Sequence, residues 1–287
     1  MMELLTEHRV AISVGTLIFL FAWESALPFF NFFRSRLTDR LRHDAINLFL
    51  GIINAAFNAS AAVGLWYWAC AWTEDIGFGI LNWLGFPAVG EWITAFLLLD
   101  LWMYWWHRIC HVVPILWRFH RVHHSDRNMD VSTAYRFHLG EMLASAIVRV
   151  PVIVLIGLGL EHIAVFELVL FVTVLIQHAN VSLSPTLDRL LRALLVTPFM
   201  HKVHHSREME ETNSNYCSLF SWCDRLFGTY RGKGDYHSIE FGLREFAKPD
   251  DQRLRALIMS PLESRNSVAS TGKSVNSPAH KKTDTHT

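Results

Sequence analysis

Long apolar runs with few polar interruptions fill most of the chain up to His178. A helix of about 20 apolar residues is long enough to cross a lipid bilayer. Three of the runs reach that length by themselves, and the last two, separated only by Glu161 and His162, predict a helical hairpin. The pattern therefore predicts an all-α fold: a polytopic integral membrane bundle of about 4–5 spans. The runs are Val10–Phe33, Ala45–Trp72, Glu91–Trp106, Leu139–Leu160 and Ile163–Ile176.

Composition agrees with this assignment, since 51% of the residues are hydrophobic and only 18% are charged. The alternative is a very apolar soluble helical protein, which the length of the runs disfavours. The first run is longer than the apolar core of about 7–15 residues found in signal peptides, and no small-residue cleavage site follows it, so it is expected to be retained. Ile76–Val89 is apolar but interrupted by glycines and Pro87, which favours a re-entrant or surface segment over a span.

The distribution of Lys and Arg predicts the orientation. No Lys or Arg occurs from His43 to His107 or between Pro151 and Arg189, whereas basic residues crowd the segments on either side. Positive charge marks the cytoplasmic side of a membrane protein. The sequence therefore predicts a cytoplasmic histidine-rich cap, with the N-terminus, residues 73–90 and the Glu161–His162 turn on the opposite side.

Many of the chain's 16 histidines fall into tight clusters, and the clusters repeat. Spacings of three and four residues place side chains on one face of a helix. Imidazole suits iron, copper, zinc and nickel, and so many converging imidazoles indicate two metal ions. The hairpin returns the chain to the side that it left, so both halves of the site meet. The predicted ligands are His107, His111, His120, His123, His124, His178, His201, His204 and His205.

Several neighbouring side chains are candidates for supporting roles. Asp100 lies seven residues before His107 on the same helical face, and a ligating imidazole usually donates its other nitrogen to a carboxylate or carbonyl. Asp100 is therefore predicted to orient an imidazole. Glu141 and Asp224 are weaker versions of the same idea. His138 is left open as a ligand, a donor to a ligand or a substrate contact. Tyr104 lines the pocket or belongs to an aromatic belt, and Cys110 is expected to be a packing residue.

The order H-x3-H, H-x2-HH and later H-x2-HH, set between membrane spans, resembles the fatty acid hydroxylase superfamily, also called the sterol desaturase family. The likeness runs from about Ala95 to Tyr230 and includes QHAN around His178; Leu139 stands where that family often has proline. The resemblance implies a non-haem centre of two iron ions, with zinc as a possible substitute, which uses molecular oxygen to hydroxylate or desaturate a lipid.

The partners follow from the same analysis. The chain shows no dinucleotide, haem-attachment or iron–sulfur motif, so a separate reductase, ferredoxin or cytochrome must supply electrons. Basic residues around the site are expected to receive an acidic donor: Arg118, Arg121, Lys202 and Arg207. Dispersed charge gives no sign of nucleic-acid binding, and the four cysteines show no disulfide or CxxC pattern.

The predicted organisation has three parts: membrane spans at 1–90, a catalytic region at 91–259 and a disordered tail at 260–287. The sequence leaves the lipid and the modified carbon open. It also leaves two other classes of function: a zinc-bound membrane hydrolase or metal-handling protein without oxygen chemistry, and a catalytically silent membrane scaffold. The intact histidine clusters weigh against the scaffold.

Overall fold

The computed structural model describes residues 8–33 and 36–263, and this part of the chain is helical, with two isolated β-bridges and no sheet. Six long helices build the bundle: α1 (Arg9–Ala26), α2 (Leu37–Phe57), α3 (Val63–Ile76), α5 (Ala88–Val112), α7 (Leu139–Ile156) and α8 (Leu160–His178). Shorter helices complete the fold: α4 (Ile80–Leu84), α6 (Pro114–His124), α9 (Pro185–Leu191), α10 (Pro198–His204), α11 (Met209–Thr212), α12 (Trp222–Leu226) and α13 (Leu254–Met259).

The predicted class is confirmed: the chain is an all-helical integral membrane protein. Four helical stretches among the described residues are long and apolar enough to cross a bilayer, namely Arg9–Ala26, Leu37–Leu84, Leu139–Ile156 and Leu160–His178. Their outer surfaces are apolar, as lipid contact requires; Ile18 is 63% exposed and Ile52 is 66% exposed. The predicted third run forms α5. This helix is not among the four stretches, because its tryptophans and polar residues make it less apolar than they are.

The second run lies within one long helical rod that extends beyond it at both ends, from Leu37 to Ile76. A π-helical turn at Asn58–Ala62 joins α2 to α3 without breaking the helix. The lower part of the rod packs beside the histidine-rich region, where Asn47 donates to Asp126. Its upper part packs along α7, where the indole of Trp66 donates to the carbonyl of Ala146. The rod therefore begins in the cap and crosses the bundle once.

The bundle has two distinct ends. At the far end the turn after α3 meets the turn after α7 so closely that a Cβ on Gly79 would lie 2.4 Å from Cα of Gly157. Both glycines have positive φ values, +111° and +80°, which residues with a side chain rarely adopt. His162, at the start of α8, lies 3.4 Å from Glu91 at the start of α5 at this same end. The segment 76–89, which is predicted to be re-entrant or at the surface, contains the short helix α4 and lies at the end of the bundle opposite the histidines.

The other end carries the cap. Arg136 is buried and bonds Asn47 and the carbonyl of Val122, which ties α2 to α6. The C-terminal segment closes over α6, because a guanidinium nitrogen of Arg121 donates to the carbonyl of Ser260. Residues 260–263 are therefore ordered, so the predicted start of the tail at 260 is too early. The rest of the predicted tail, 264–287, lies outside the described residues.

This arrangement predicts a labelling pattern. The four native cysteines are buried, so only a cysteine introduced at an exposed position is expected to react and to report which side of the membrane it faces. Asp75→Cys and Glu161→Cys, both at the far end, are expected to react with an impermeant maleimide from one side of the membrane, and Arg127→Cys in the cap only from the other. Labelling of positions 75 and 127 from the same side would contradict the topology.

Candidate metal centre

The nine predicted imidazoles meet at the cap end of the bundle in two adjacent groups. Within each group, one ring nitrogen from every member lies within 4.8 Å of those of the others. The first group is His107, His111, His120, His124 and His204, and the second is His123, His178, His201 and His205. Each group draws on both sides of the α7–α8 hairpin, as the argument from chain topology predicted.

Helix geometry explains how the doubled histidines divide between the groups. Successive residues on a helix point about 100° apart, whereas residues four apart share a face. On α6, His120 and His124 therefore face the first group while His123 faces the second. On α10 the order is reversed, since His204 faces the first group and its neighbour His205 the second.

The spacing of the nitrogens suits metal ions. Nε2 of His178 lies 3.1 Å from Nε2 of His123 and 3.1 Å from Nε2 of His201. In the first group, Nε2 of His120 and of His124 are 3.2 Å apart. Two imidazoles bound at right angles to one ion at about 2.1 Å would place their nitrogens about 3 Å apart. The observed separations match that value.

Buried nitrogens without partners are a second indication. Within the two groups, six ring nitrogens are buried and have no hydrogen-bond partner, which is costly unless something else pairs with them. They belong to His111, His123, His124, His201, His204 and His205. In His111, His204 and His205 the unpartnered atom is Nε2, and a metal ion in each group would satisfy these atoms, so the donor set fits two ions.

The protonation state also suits metal binding. Burial, and then the neighbouring imidazoles, hold the pKa values of His123, His124 and His205 well below the ordinary value. These rings are therefore neutral at pH 7. A neutral imidazole is the form that donates its lone pair to a metal.

The first group is oriented mainly by one segment, residues 213–216. The Nδ1 atoms of His107 and His204 donate to the carbonyl oxygens of Tyr216 (2.8 Å) and Ser214 (2.7 Å). Nδ1 of His111 lies 3.3 Å from the side-chain oxygen of Asn213. Such contacts fix the tautomer and direct Nε2 toward the metal. Sequence reasoning missed this segment, because backbone carbonyls leave no signal in a sequence.

The carboxylate that touches an imidazole is Glu141, not Asp100. Oε1 of Glu141 lies 2.8 Å from Nδ1 of His120, and both side chains are buried. Glu141 stands in the first turn of α7, which brings it to the level of α6. This residue was the weaker candidate in the sequence, so its importance was underestimated.

The predicted contact between Asp100 and an imidazole is wrong. Asp100 and His107 share a face of α5, but two helical turns separate them by about 10 Å, which is too far for a hydrogen bond. Asp100 instead accepts from the backbone N–H of Leu219 (3.2 Å) and from the indole of Trp222 (3.0 Å). It therefore fixes the loop that follows Tyr216, and acts on His107 only through that loop.

The remaining candidates hold structure around the centre. Asp224 accepts from the backbone N–H groups of Tyr216 (2.8 Å) and Cys217 (3.0 Å), so it fixes the segment whose carbonyl binds His107. Tyr104 is fully buried and its hydroxyl contacts Thr229 at 3.0 Å, which places it in the core and not in an exposed belt.

His138 and Cys110 lie beside the centre. Nδ1 of His138 accepts from the N–H of Gly140 and caps α7, and its Nε2 lies 3.0 Å from the carbonyl of Ile258. Both ring nitrogens are thus engaged away from the two groups. Cys110 is completely buried, and its sulfur lies within 4.8 Å of ligand atoms of His120 and Glu141.

Two of the four predicted docking residues are buried. The ammonium of Lys202 donates to the carbonyl of Ala179 at 2.8 Å, and Arg121 binds carbonyls of the C-terminal segment. Neither can receive another protein at the surface, so that part of the prediction is wrong. Arg118 is exposed, and Arg207 is partly exposed in an ion pair with Glu240.

A cavity of about 320 Å³ leads from the histidines into the bundle. Both groups reach it, through His107 and His120 of the first and His123, His178 and His201 of the second. Mainly apolar side chains from α2, α5, α7, α8 and the segment before α7 line the rest, among them Trp106, Phe137, Met142, Leu170 and Phe171. The cavity therefore offers an apolar molecule direct access to both groups.

The contact with His120 makes Glu141 a testable position. Glu141→Leu is expected to lower metal affinity or turnover roughly 10–100-fold, because His120 loses the partner that fixes its ring. Glu141→Gln keeps an acceptor oxygen and should lose less. Iron content and turnover, measured together on both variants, check the expectation, with exposed Glu161→Gln as the control. Equal behaviour of the Leu variant and the control would exclude the role.

Comparison with known proteins agrees with this geometry. Residues 92–229 match the model of the fatty acid hydroxylase family. An alkylglycerol monooxygenase of Danio rerio is 33% identical over 160 residues, which is 56% of this chain and 34% of that protein. An ornithine lipid hydroxylase of Rhizobium tropici is 29% identical over 159 residues (55% and 46%). A very-long-chain aldehyde decarbonylase of Oryza sativa subsp. japonica is 30% identical over 184 residues (61% and 59%).

The chain thus spans between about a third and three fifths of the relatives just described. No solved structure matches it significantly. The family match begins at α5, just before Asp100, and ends at Thr229, so it contains all nine clustered histidines together with Glu141 and the 213–216 segment. Residues 92–229, the region that holds the whole candidate metal centre, thus match the fatty acid hydroxylase family.

Proposed function

We propose that this protein is a membrane-bound oxygenase that hydroxylates or desaturates a lipid, using molecular oxygen and electrons from a separate donor. The observation that carries the proposal is the meeting of nine imidazoles, in two groups, at the inner end of an apolar cavity. The relatives are named for alkylglycerols, ornithine lipids and very-long-chain aldehydes, all of which carry long apolar chains.

The metal is proposed to be two iron ions, one in each group, held by the nine histidines. Iron is redox-active and accepts imidazole, whereas zinc has no redox chemistry. When bound, the iron pair supplies the oxidation of an unactivated C–H bond. Glu141, Tyr216, Ser214 and Asn213 keep four of the five rings of the first group in position through contacts with the Nδ1 atoms of those rings.

The chain's own contribution to the reaction is placement and exclusion of water. The apolar walls of the cavity hold a lipid chain against His107, His120, His123, His178 and His201. The cap buries every member of the two groups except His107, which lies at the cavity wall. A reactive centre is thereby shielded from bulk solvent while the lipid enters from the bundle.

The cap is proposed to face the cytoplasm, where the electron donor docks. Support comes from the excess of Lys and Arg on this end of the bundle. Of the basic residues first considered, Arg118 and Arg207 retain surface exposure and are the proposed contacts for an acidic donor. Charge reversal at both is expected to slow donor-dependent turnover without changing iron content.

Elemental analysis and oxygen consumption test the proposal together. Freshly prepared active protein is expected to hold two irons per chain and to consume oxygen when given reductant and a lipid extract. One ion or none in active protein would contradict the two-ion centre. Tight zinc binding in protein that hydrolyses a lipid but never consumes oxygen would replace the proposal with the hydrolase alternative.

A further inference from the structure

The cavity holds an ion pair that the metal centre does not use. Arg149 on α7 and Glu167 on α8 both line it, and a guanidinium nitrogen of Arg149 donates to Oε1 of Glu167. Neither residue contacts a clustered histidine. Ionisable side chains inside a membrane bundle are costly and typically serve a substrate or ion pathway.

The pair lies deep in the bundle. Arg149 is eight residues along α7 from Glu141, and Glu167 is eleven residues before His178 on α8. At 1.5 Å per residue these positions are about 12 and 16 Å from the level of the histidines. One end of the cavity therefore lies at the proposed oxidising centre, and the other end, well separated from it, is polar.

Arg149 has unused hydrogen-bonding capacity. The residue is only 4% exposed, its guanidinium lies 4.7 Å from the ring centre of Trp66, and one nitrogen contacts the sulfur of Met103 at 3.1 Å. Its Nε is buried and has no partner in the described part of the chain. An unpaired buried donor of this kind is unfavourable unless a ligand satisfies it.

Glu167 contributes the complementary acceptor. Its side chain is 38% exposed, and the structure gives Oε2 no hydrogen-bond partner among the described residues. The pair as a whole is neutral, and it presents a donor and an acceptor to the same cavity. An anion would be repelled by Glu167 and a cation by Arg149, whereas an uncharged hydroxyl can satisfy both.

We propose that Arg149 and Glu167 form a subsite for an uncharged, hydroxyl-like group of the substrate, about 12 Å from the carbon that reaches the histidines. The inference rests on the proposed function, because it assumes that the cavity holds the substrate. It narrows the substrate class to lipids that carry such a group at this distance, and it disfavours pure hydrocarbons, free carboxylates and amines.

Binding to zinc-loaded protein tests the subsite without turnover. The probes are dodecane, dodecanol, dodecanoate and dodecylamine, each displacing a fluorescent lipid from purified full-length protein in detergent. Comparing wild type with a variant for one probe cancels partition of that probe into the micelle. Because zinc-loaded protein performs no oxygen chemistry, failure of the oxygenase proposal and failure of the subsite are separate results.

In Arg149→Met/Glu167→Met, which leaves no lone buried charge, dodecanol is expected to bind about tenfold more weakly while dodecane is unchanged. Glu167→Gln gives the sharper result. It removes the repelling carboxylate but keeps Arg149, so dodecanoate is expected to bind about tenfold more tightly. A pair whose guanidinium does not reach the bound ligand cannot produce that gain.

Exposed Glu161→Gln on the same helix is the matched control and should leave all four affinities unchanged. If the double variant is not monodisperse, Glu167→Gln alone decides. Unchanged dodecanoate binding in Glu167→Gln, or equal dodecanol binding in wild type and a well-folded double variant, overturns the subsite.

Discussion

Alanine at His123 or His204 is expected to abolish turnover while the protein still inserts into the membrane. Each change removes one imidazole from a different group, whereas insertion depends on the apolar helices. The loss should exceed the roughly 100-fold that follows removal of a residue merely supporting a ligand. The variants are compared by turnover with lipid and reductant and by membrane extraction.

Metal content should distinguish the two variants. His123→Ala leaves three imidazoles in its group, whereas His204→Ala leaves four. We therefore expect His123→Ala to lose more metal than His204→Ala, although both are inactive. His8→Ala, at an exposed position remote from the cap, should behave like wild type. Substantial activity in either cluster variant would show that the ring is not a ligand.

Leucine at Asp100 is expected to have the second largest effect, through folding of the cap. The buried carboxylate accepts from the N–H groups of Leu219 and Phe220 and from the indole of Trp222. Leaving buried donors unpaired costs about 1–3 kcal/mol each. Asp100→Leu should therefore destabilise the protein by several kcal/mol by the same estimate, whereas Asp100→Asn, which keeps one acceptor oxygen, should lose less.

Thermal unfolding and iron content check this prediction side by side. Because residues 213–216 precede the loop that Asp100 holds, a loosened loop should also lower metal retention in the first group. If both Asp100 variants keep wild-type stability and iron content, the Asp100 carboxylate contributes neither to folding of the cap nor to metal retention. If stability stays normal and only turnover is lost, Asp100 would instead act directly on an imidazole.

Local patterns predicted the parts of the site that local geometry determines. Spacings of three and four residues show which histidines share a helical face, and the hairpin shows that distant clusters meet. The division of His123 and His124 between two groups depends on how α6 crosses its neighbours. That crossing is set by packing over the whole bundle, so the assignment to groups needed the structure.

The errors have a common physical cause. The predictions for Asp100 and Lys202 rest on their places near the clustered histidines, but the partners of both side chains come from distant segments: Leu219 and Trp222 for the carboxylate, and Ala179 for the ammonium. A backbone group can satisfy a buried charge without leaving any pattern in the sequence. The same holds for Tyr216, whose carbonyl binds His107 although its side chain gives no hint of that contact.

The interleaving of the two histidine groups has a consequence for how the protein matures. Each group needs residues from before the α7–α8 hairpin and residues from α10 or its end. Neither group is complete until the ribosome has released the chain beyond His205 and the hairpin has been inserted. A metal that needs a complete group can therefore be loaded only after translation has passed His205, and a shorter nascent chain cannot hold a finished centre.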